Sequence, residues 1–395
     1  MQSIVIIGAG ECGVRAAFEL RAKGFAGSVT LVNGEARLPY ERPPLSKALN
    51  VKVIQIRPSE TFAEANIELI NGAIAVDIDR SKKVVELSNE ITLNYDKMLV
   101  ATGAHARVFP GLETCLTLRT DADAARIMQK LRDSARVGII GGGFIGLELA
   151  ATASQVGAKV TVVESAPRVL QRAVPQQLAD IVCRRHMDAG VNIVTKTDVA
   201  AANATRIALS DGTKLEFDMV ITGVGSIPNT ELAGKAGLEI NNGIEVDPAF
   251  QTSDPDIFAA GDCCSFKWSG AQVRLESWKS AQDQGAYVAA SMLGEEATYT
   301  AVPWFWSDQY ELTLQVAGLF NLEKPVVERV MPENLRLVFQ CDAQGRVVAA
   351  AGIGPGQTIA KHISIFEKLI ARQAAHDLAV LCDPDQNLKR LLRAA

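Results

Sequence analysis

The feature that most constrains the fold is a glycine-rich pattern near the start of the chain. A β-rich run, Ser3–Ile7, leads into a turn from Gly8 to Gly13 with the sequence Gly-Ala-Gly-Glu-Cys-Gly. A helical stretch and a second strand, Val29–Asn33, follow, and Glu35 comes just after that strand. This order of strand, glycine turn, helix, strand and acid is the context in which a G-x-G-x-x-G motif binds a dinucleotide. We therefore expect a nucleotide-binding unit here.

The whole pattern occurs a second time. Arg136–Ile140 leads into a turn from Gly141 to Gly146, a helix follows, and the strand Lys159–Val163 ends at Glu164. A single motif of this kind is a weak indicator, whereas two copies in full context predict two nucleotide sites in one chain.

The chemistry of the turn explains its glycines. The first glycine permits the sharp turn, the second lets the backbone approach a pyrophosphate, and the third lets the helix pack on the strand. The amino terminus of the following helix then offers free N–H groups and the positive end of its dipole to the phosphates. We expect these helices at Val14–Lys23 and Leu147–Gln155, with Arg15 either adding positive charge or lying solvated at the surface.

The acid of the second copy indicates which nicotinamide nucleotide is bound. A carboxylate at this strand end accepts hydrogen bonds from a ribose 2′-hydroxyl and repels a 2′-phosphate. Glu164 therefore favours NADH over NADPH, although Arg168 and Arg172 lie nearby in the sequence and weaken that preference.

Charge and hydropathy exclude some classes of protein. The net charge of −5 and the isoelectric point near 5.6 give no electrostatic basis for binding nucleic acid. The first residues run into a strand without a preceding basic region, so no signal peptide is indicated. The most apolar long window, Val137–Ala158, contains Glu148 and several glycines and is not a membrane span. We expect a cytoplasmic protein.

The cysteines and histidines do not indicate a metal or disulfide framework. The seven cysteines are scattered and form no C-x-x-C pair, and there are only four histidines. We interpret the cysteines as buried reduced thiols and expect no metal site.

The remaining elements suggest three domains. Strands are predicted at Lys83–Leu87, Ile91–Leu93, Tyr95–Ala101, Asp218–Val224, Asp254–Gly261, Arg336–Phe339 and Arg346–Ala351, and a further helix at Ile359–Arg372. We expect one nucleotide-binding domain formed by residues 1–108 and 232–302, a second formed by 109–231, and a carboxy-terminal α+β domain formed by 303–395.

Four further segments carry a family resemblance. They are Leu38–Lys47 (LPYERPPLSK), Thr252–Cys263 (TSDPDIFAAGDC), Arg274–Trp278 followed by Ala281–Gln284, and Val302–Tyr310 (VPWFWSDQY). Together with the two glycine turns they cover essentially the whole chain in order. The chain resembles the NADH-dependent ferredoxin reductases that serve Rieske oxygenases and bacterial cytochromes P450.

The resemblance implies a fold and an activity. The fold would be α/β, with two Rossmann-like dinucleotide-binding domains of the glutathione-reductase type, for FAD and for NAD, and a carboxy-terminal α+β domain. Hydride would pass from NADH to N5 of FAD, and electrons would leave singly to a 2Fe–2S ferredoxin. The ferredoxin would supply a Rieske oxygenase or a cytochrome P450, and the reductase would be a monomer or weak homodimer.

The resemblance also implies site residues. Lys47, Glu148 and Trp306 would be catalytic, with Lys47 near flavin N5 and paired to Glu148, and with Trp306 towards the ferredoxin side. The positions that would contact FAD are Gly8, Gly10, Cys12, Gly13, Glu35, Arg42, Lys47, Ala75, Ala101, Thr102, Gly103, Arg119, Gly261, Asp262 and Trp278. The positions that would contact NAD are Gly141, Gly143, Phe144, Ile145, Gly146, Glu148, Glu164, Arg172 and Gly225.

The chain departs from the family pattern at two places. Relatives usually carry an acid at the position of Gly34, and here the acid is the next residue, Glu35. The stretch between Lys47 and Arg57 is also several residues shorter than usual.

Other interpretations stay open at this stage. Arg42 and Lys47 could be surface charges beside a Pro-Pro turn, and Trp278 and Trp306 could be ordinary core aromatics. A flavin disulfide reductase or NADH oxidase would need a redox cysteine near the Pro-Pro-Leu-Ser-Lys turn, yet no cysteine lies between Cys12 and Cys115.

A redox-controlled signalling protein that resembles the apoptosis-inducing factors is a further alternative. Such a protein would carry targeting segments and long basic insertions. The basic residues Lys389, Arg390 and Arg393 either steer an acidic ferredoxin or form a solvated tail.

Overall fold

A computed structural model of the chain describes residues 2–47, 53–295 and 298–392. The chain divides into two compact units. The first comprises the described residues within Met1–Glu41, Val53–His105 and Ser226–Ala301. The second comprises those within Arg42–Lys52, Ala106–Gly225 and Val302–Ala395.

The strands of the described residues are numbered here in chain order. They are β1 Ser3–Ile7, β2 Ser28–Asn33, β3 Ile67–Asn71, β4 Ala75–Asp79, β5 Val84–Leu87, β6 Thr92–Asn94, β7 Lys97–Val100, β8 Ala104–Ala106, β9 Arg136–Ile140, β10 Lys159–Val163, β11 Asn192–Val194, β12 Val199–Asn203, β13 Arg206–Leu209, β14 Lys214–Glu216, β15 Met219–Thr222, β16 Ser226–Pro228, β17 Ile244–Glu245, β18 Ile257–Ala259, β19 Cys264–Trp268, β20 Ala271–Val273, β21 Trp304–Gln309, β22 Leu312–Gly318, β23 Val327–Arg329, β24 Arg336–Cys341 and β25 Val347–Pro355.

The α-helices of the same residues are α1 Glu11–Ala22, α2 Ser59–Glu64, α3 Asp121–Lys130, α4 Phe144–Gln155, α5 Gln176–Asp188, α6 Glu231–Lys235, α7 Trp278–Met292, α8 Ala360–Arg372 and α9 Leu378–Cys382. Short 3-10 helices occupy Pro43–Ser46, Gly356–Ile359 and Leu388–Arg390. Within the described part of the chain, no helix combines the length and the apolar character needed to cross a bilayer.

A parallel sheet forms the centre of the first unit. Its five strands follow the order β18-β7-β1-β2-β3. The residues from Ile4 to Ile7 are all buried, as expected for a strand that is covered on both faces. Helices α1 and α7 pack closely, since a Cβ at Gly285 would lie 2.5 Å from the carbonyl oxygen of Cys12. Because β18, β7 and β1 are neighbouring parallel strands, their carboxyl ends lie side by side.

The second unit holds a four-stranded parallel sheet and a five-stranded antiparallel sheet, besides the small antiparallel sheet of β12, β13 and β14. The parallel sheet has the order β11-β10-β9-β15, and the five-stranded antiparallel one has the order β21-β22-β25-β24-β23. Helix α8 covers the antiparallel sheet through Ile363 and Phe366, which pack with Phe339. Leu314 of the same sheet belongs to a buried cluster with Leu147 of α4.

The α/β fold class with an α+β carboxy-terminal part is confirmed. Both helices that follow the glycine turns begin earlier than predicted, at Glu11 and Phe144. The reason is that Gly10 and Gly143 already have the extended conformation of an N-cap, so that the residues after them form the first helical turn. The predicted assignment of domains to nucleotides stays a prediction.

Candidate functional site

The first glycine turn closes tightly at two of its glycines. Gly8 has a φ of +110°, and a Cβ on it would lie 2.2 Å from the carbonyl oxygen of Ala101 at the end of β7. A Cβ on Gly13 would lie 1.9 Å from the carbonyl oxygen of Gly8. A Cβ on Gly10 would meet nothing within 4 Å. The outer glycines are therefore required by packing, while the middle glycine keeps space clear beside the start of α1.

The second glycine turn repeats this geometry in the other unit. Gly141 has a φ of +104°, and a Cβ on it would lie 2.5 Å from the carbonyl oxygen of Gly223. A Cβ on Gly146 would lie 2.2 Å from the carbonyl oxygen of Gly141, whereas one on Gly143 would meet only a single atom, at 3.9 Å. The two turns therefore share one design, in which the middle position is left open.

Each of the helices that leave these turns has a glycine as its N-cap residue. Neither Gly10 nor Gly143 supplies a side-chain hydrogen bond to its helix. In contrast, Thr120 forms a capping box with α3, and Ser277 accepts a hydrogen bond from the backbone of α7. The N–H groups at the start of α1 and α4 are thus available to an anion in the space that the middle glycine keeps clear. Each turn fits a nucleotide pyrophosphate.

The other site residues of the first unit lie around the carboxyl ends of its strands. Cys12 is buried, and a Cβ on Gly261, which follows β18, would lie 3.1 Å from the Cβ of Cys12. Thr102 follows β7, and its hydroxyl donates to the carbonyl of Asn229 over 2.8 Å. Ala101, Gly103 and Asp262 are close in sequence to these residues and share the same sheet edge.

Glu35 is held in place by neighbours in its own loop. The hydroxyl of Tyr40 donates to a Glu35 carboxylate oxygen over 2.7 Å, and the Glu35 N–H donates to the side chain of Asn33 over 3.2 Å. Two further predicted residues of this unit lie on other elements. Ala75 begins β4, and Trp278 begins α7.

Three residues predicted to contact FAD belong to the second unit. They are Arg42, Lys47 and Arg119. Arg42 donates to the carbonyl of Arg119 over 2.7 Å, so the structure brings these two together. Residues 48–52 of the shortened stretch after Lys47 lie outside the described residues.

The predicted pair of Lys47 and Glu148 is present as a salt bridge. The Lys47 ammonium lies 2.8 Å from Oε2 of Glu148, whose side chain is only 7% exposed. Ser46 also donates to Oε2, and Ser307 donates to Oε1 over 2.6 Å. The carboxylate is nearly removed from water, and each of its oxygens is compensated by at least one donor.

Sequence reasoning missed the serines and threonine of this cluster. The hydroxyl of Thr152, one turn after Glu148 on α4, donates to the carbonyl of Ser46 over 2.8 Å and fixes the 3-10 turn. The signal for Ser307 was its place in the segment Val302–Tyr310, which is one of the segments that carry the family resemblance.

Glu164 is placed at the end of β10, as its prediction required, and it has an additional structural role. It accepts hydrogen bonds from the N–H of Gly142 over 2.7 Å and from that of Ala166 over 2.8 Å. Arg168 does not face an external anion, because its guanidinium donates to backbone carbonyls, including that of Val174 over 3.0 Å. Arg172 is exposed.

The remaining predicted positions of the second unit are partly or fully exposed, and Trp306 lies on β21, the first strand of the five-stranded antiparallel sheet. Phe144 packs edge to face on Phe305, with the ring centroids 5.2 Å apart, while Ile145 is 45% exposed and Gly225 is exposed. Trp306 stacks on Trp304 with the ring centroids 5.5 Å apart, and its indole N–H donates to Asp308 over 2.9 Å.

Buried cysteines near the first glycine turn are not activated. Burial raises the pKa of Cys12 and of Cys264 well above the usual value for a thiol, and it also raises the pKa of Cys263. A thiol with a raised pKa is a poor nucleophile at neutral pH. Across residues 2–47, 53–295 and 298–392, no group of histidine, cysteine and acidic side chains could hold a metal ion.

Comparison with known proteins places this geometry in a family. Residues 2–285 match the model for pyridine nucleotide-disulphide oxidoreductases, and residues 304–392 match a reductase C-terminal model. The ferredoxin–NAD(+) reductase component of the anthranilate 1,2-dioxygenase system of Burkholderia cepacia is 38% identical over 404 residues, covering 98% of each protein. Rhodocoxin reductase of Rhodococcus erythropolis is 40% identical over 333 residues, covering 80% of this chain and 78% of that relative.

A solved structure agrees with these relatives. The reductase chain of the covalent putidaredoxin reductase–putidaredoxin complex superposes with a TM-score of 0.93 at 35% identity, and the match covers 100% of this chain and 99% of that one. The resemblance found in the sequence is therefore confirmed. The chain belongs to the pyridine nucleotide-disulphide oxidoreductase family.

Proposed function

We propose that this chain is an FAD-dependent NADH:ferredoxin oxidoreductase. The observation that carries the proposal is the salt bridge from Lys47 to the buried Glu148, formed in a chain that also has two uncapped glycine-turn helices. Such a chain has places for two nucleotides and a cation fixed on the turn that the resemblance assigns to the flavin.

We propose that the first turn holds FAD and the second holds NADH. The N–H groups at the start of α1 would bind the FAD pyrophosphate, and Glu35, Asp262 and Trp278 would contact the rest of the cofactor. When bound, FAD accepts a hydride and passes electrons on singly. This reaction requires no protein nucleophile.

The protein's own groups then have defined tasks. Lys47 supplies a positive charge, which stabilises negative charge that develops on a reduced ring. Glu148 binds the Lys47 ammonium and limits where it can move. Arg42, which precedes this turn, connects it to the segment before α3 by donating to the carbonyl of Arg119.

The nucleotide preference proposed is for NADH. Glu164 offers a carboxylate at the strand end, and the hydrogen bonds that it accepts from Gly142 and Ala166 hold its orientation. Arg168 and Arg172 weakened this preference in the sequence. Arg168 donates to backbone carbonyls, which supports the proposal, while Arg172 is exposed.

We propose a 2Fe–2S ferredoxin as the electron acceptor, with a Rieske oxygenase or cytochrome P450 beyond it. Support comes from relatives that are named as ferredoxin–NAD(+) reductase components and from the solved complex with putidaredoxin. Trp306 on β21 is the proposed aromatic on the ferredoxin side. A monomer or weak homodimer and a cytoplasmic location belong to the same proposal. Of the basic tail, Arg393 lies outside the described residues.

The test is a purified preparation assayed in steps. The protein should be yellow, should be bleached by NADH in the absence of air, and should prefer NADH to NADPH. Reduction of cytochrome c should be slow with the reductase alone and fast after a 2Fe–2S ferredoxin is added. A preparation that retains no FAD after reconstitution, or that reduces disulfides in preference to ferredoxin, would overturn the proposal.

A further inference from the structure

A chain of buried polar side chains continues outward from Glu148 within the second unit. Ser307 donates to Glu148 over 2.6 Å, and the Gln309 amide nitrogen donates to the Ser307 hydroxyl over 3.1 Å. The Gln309 amide oxygen lies 2.7 Å from Nε2 of His186. Ser307, Gln309 and His186 are only 1%, 5% and 0% exposed. Because burial of unpaired polar groups is costly, every side chain in this series must keep its hydrogen-bond partners.

Two structural elements bring the chain together. Alternation along β21 directs Phe305, Ser307 and Gln309 to one face of the strand. His186 comes from the last turn of α5. After β21 the hairpin turns through Tyr310, which has a φ of +57°. This backbone conformation is unfavourable for a tyrosine, so the surrounding contacts must hold it there.

The direction of every hydrogen bond follows from the carboxylate. An ionised Glu148 can only accept, so the Ser307 hydroxyl must donate to it. Ser307 must then accept from the amide nitrogen of Gln309, which leaves the Gln309 oxygen facing His186. Nε2 of His186 must therefore carry a proton and donate. Three donors in series thus point from His186 towards Glu148.

The outer end of the chain is anchored at the protein surface. Burial lowers the pKa of His186, so the ring is neutral at neutral pH and its Nδ1 accepts from the Tyr310 hydroxyl over 3.1 Å. The guanidinium of Arg185 lies over the Tyr310 ring at 4.0 Å and also bonds to Glu311 over 2.8 Å. These contacts fix Tyr310, and Tyr310 fixes the tautomer of His186.

The distribution of donors around Glu148 shows what this series of hydrogen-bonded side chains does. Ser46 and Lys47 both bond to Oε2, and Ser307 bonds to Oε1. Ser307 therefore fixes the second carboxylate oxygen, so that rotation of the carboxylate about its last bond would break contacts at both oxygens. The chain does not conduct protons, because a carboxamide such as that of Gln309 gives up its N–H protons only at very high pH.

We propose that Ser307, Gln309 and His186 are positioning residues, which orient Glu148 so that it holds Lys47 in place. The positioning of Lys47 relative to FAD rests on the proposed function, but the contact between Lys47 and Glu148 does not. The consequence is that the hairpin of β21 and β22 sets the position of the Lys47 ammonium through contacts that never touch Lys47 itself.

The direct test measures the reactivity of the Lys47 amine. An ammonium held by a carboxylate reacts slowly with acetic anhydride, so the rate of Lys47 acetylation, followed by mass spectrometry on the purified holoprotein, reports the salt bridge. Lys97, which donates to the carbonyl of Met292, serves as the internal reference. We expect Ser307→Ala, which removes a hydrogen bond to a charged group, to raise the relative rate at Lys47 about 10-fold. Gln309→Met removes a hydrogen bond between neutral groups and should raise that rate about 5-fold.

Matched variants separate positioning from general destabilisation. Gln315→Met removes a buried amide from the opposite face of the same hairpin and should leave Lys47 acetylation at the wild-type rate. Ser307→Thr keeps the hydroxyl and His186→Gln keeps a donor, so Lys47 acetylation should stay slow in both variants. His186→Leu removes that donor and should behave like Gln309→Met.

The outcomes that overturn the proposal are specific. Wild-type acetylation of Lys47 in folded Gln309→Met and His186→Leu would show that the chain does not act on Glu148. If Gln315→Met raised the acetylation rate of Lys47 equally, the loss of any buried polar side chain in the hairpin would be enough to loosen Lys47. Because acetylation requires neither NADH nor ferredoxin, failure of the proposed activity would leave this result unchanged and is recognised separately by absent NADH oxidation.

Discussion

Two alanine substitutions three residues apart in the second glycine turn should fail in different assays. A Cβ at Gly146 would lie 2.2 Å from the backbone oxygen of Gly141, whereas ordinary contact begins at 3.4 Å. A Cβ at Gly143 would meet only a carbonyl oxygen at 3.9 Å, and the φ of −82° is allowed for alanine. Gly146→Ala should therefore damage the fold, while Gly143→Ala should damage only nucleotide binding.

The magnitudes follow from these distances. To relieve the contact at Gly146, backbone must move against backbone by about 1 Å, and overpacking of this kind costs about 1–3 kcal/mol. The unfolding temperature should fall by about 5–10 °C at the upper end of that range. Gly143→Ala changes only a half-buried N-cap that has open space beside it, and it should cost less than about 1 kcal/mol of stability. Its methyl group occupies the space proposed for the NADH pyrophosphate, so the KM for NADH should rise about 10- to 100-fold, or ~1.4–2.8 kcal/mol.

The assays are thermal unfolding followed by circular dichroism and steady-state NADH oxidation with a fixed artificial acceptor. Gly10→Ala and Gly13→Ala provide the same comparison in the first turn, with retention of FAD in place of the KM for NADH. The reasoning is refuted if Gly143→Ala binds NADH normally, or if it unfolds as readily as Gly146→Ala.

The remaining predictions concern single side chains. Glu164→Gln should lower the NADH-to-NADPH ratio of kcat/KM about 10-fold, or ~1.4 kcal/mol, and an unchanged ratio would remove Glu164 as the selecting group. Burial raises the pKa of Glu11, so protonation of this carboxyl stabilises the folded protein. That stabilisation is complete below pH 4.5 and is lost as the pH rises through the raised pKa. Glu11→Gln should therefore stabilise the protein by ~1 kcal/mol near pH 7 and have no effect well below pH 4.5, which denaturation at several pH values would check. Arg329 is 5% exposed and donates to the carbonyl of Leu381 over 2.7 Å, so Arg329→Met should cost about 3 kcal/mol and expose residues 378–392 to hydrogen exchange, whereas wild-type exchange there would contradict its anchoring role.

The parts of the fold that depend on local sequence could be predicted. The glycine turns required a positive φ and close backbone contact at Gly8 and Gly141, and these constraints are expressed within a few residues of sequence. Strands such as Ser3–Ile7 and Arg136–Ile140 have the predicted bounds because continuous apolar runs with glycine at their ends leave little choice. The pairing of Lys47 with Glu148 was inferred only from the resemblance, since nothing local relates residues so far apart in sequence.

The parts that depend on tertiary packing could not be predicted. His186 carried no signal because it is an ordinary residue of an amphipathic helix, and only the hairpin that packs against α5 makes it a partner of Gln309. The contacts of Arg168 could not be predicted either. Its position beside Glu164 suggested a phosphate contact, but a long flexible side chain reaches whichever acceptors are near, and here those are backbone carbonyls.

The turn at Pro43–Ser46 gives a physical reason to favour ferredoxin over a disulfide as the acceptor. Disulfide exchange requires a thiolate, which must be exposed and stabilised by positive charge. The cation of this turn, Lys47, is paired with Glu148, and the side chain next to it is the hydroxyl of Ser46 and not a thiol. The cysteines near the first glycine turn lie in apolar surroundings that hold their pKa values high. The described residues of this turn therefore supply no thiolate that could pass an electron pair to a disulfide, and an acceptor that takes electrons singly fits the turn better.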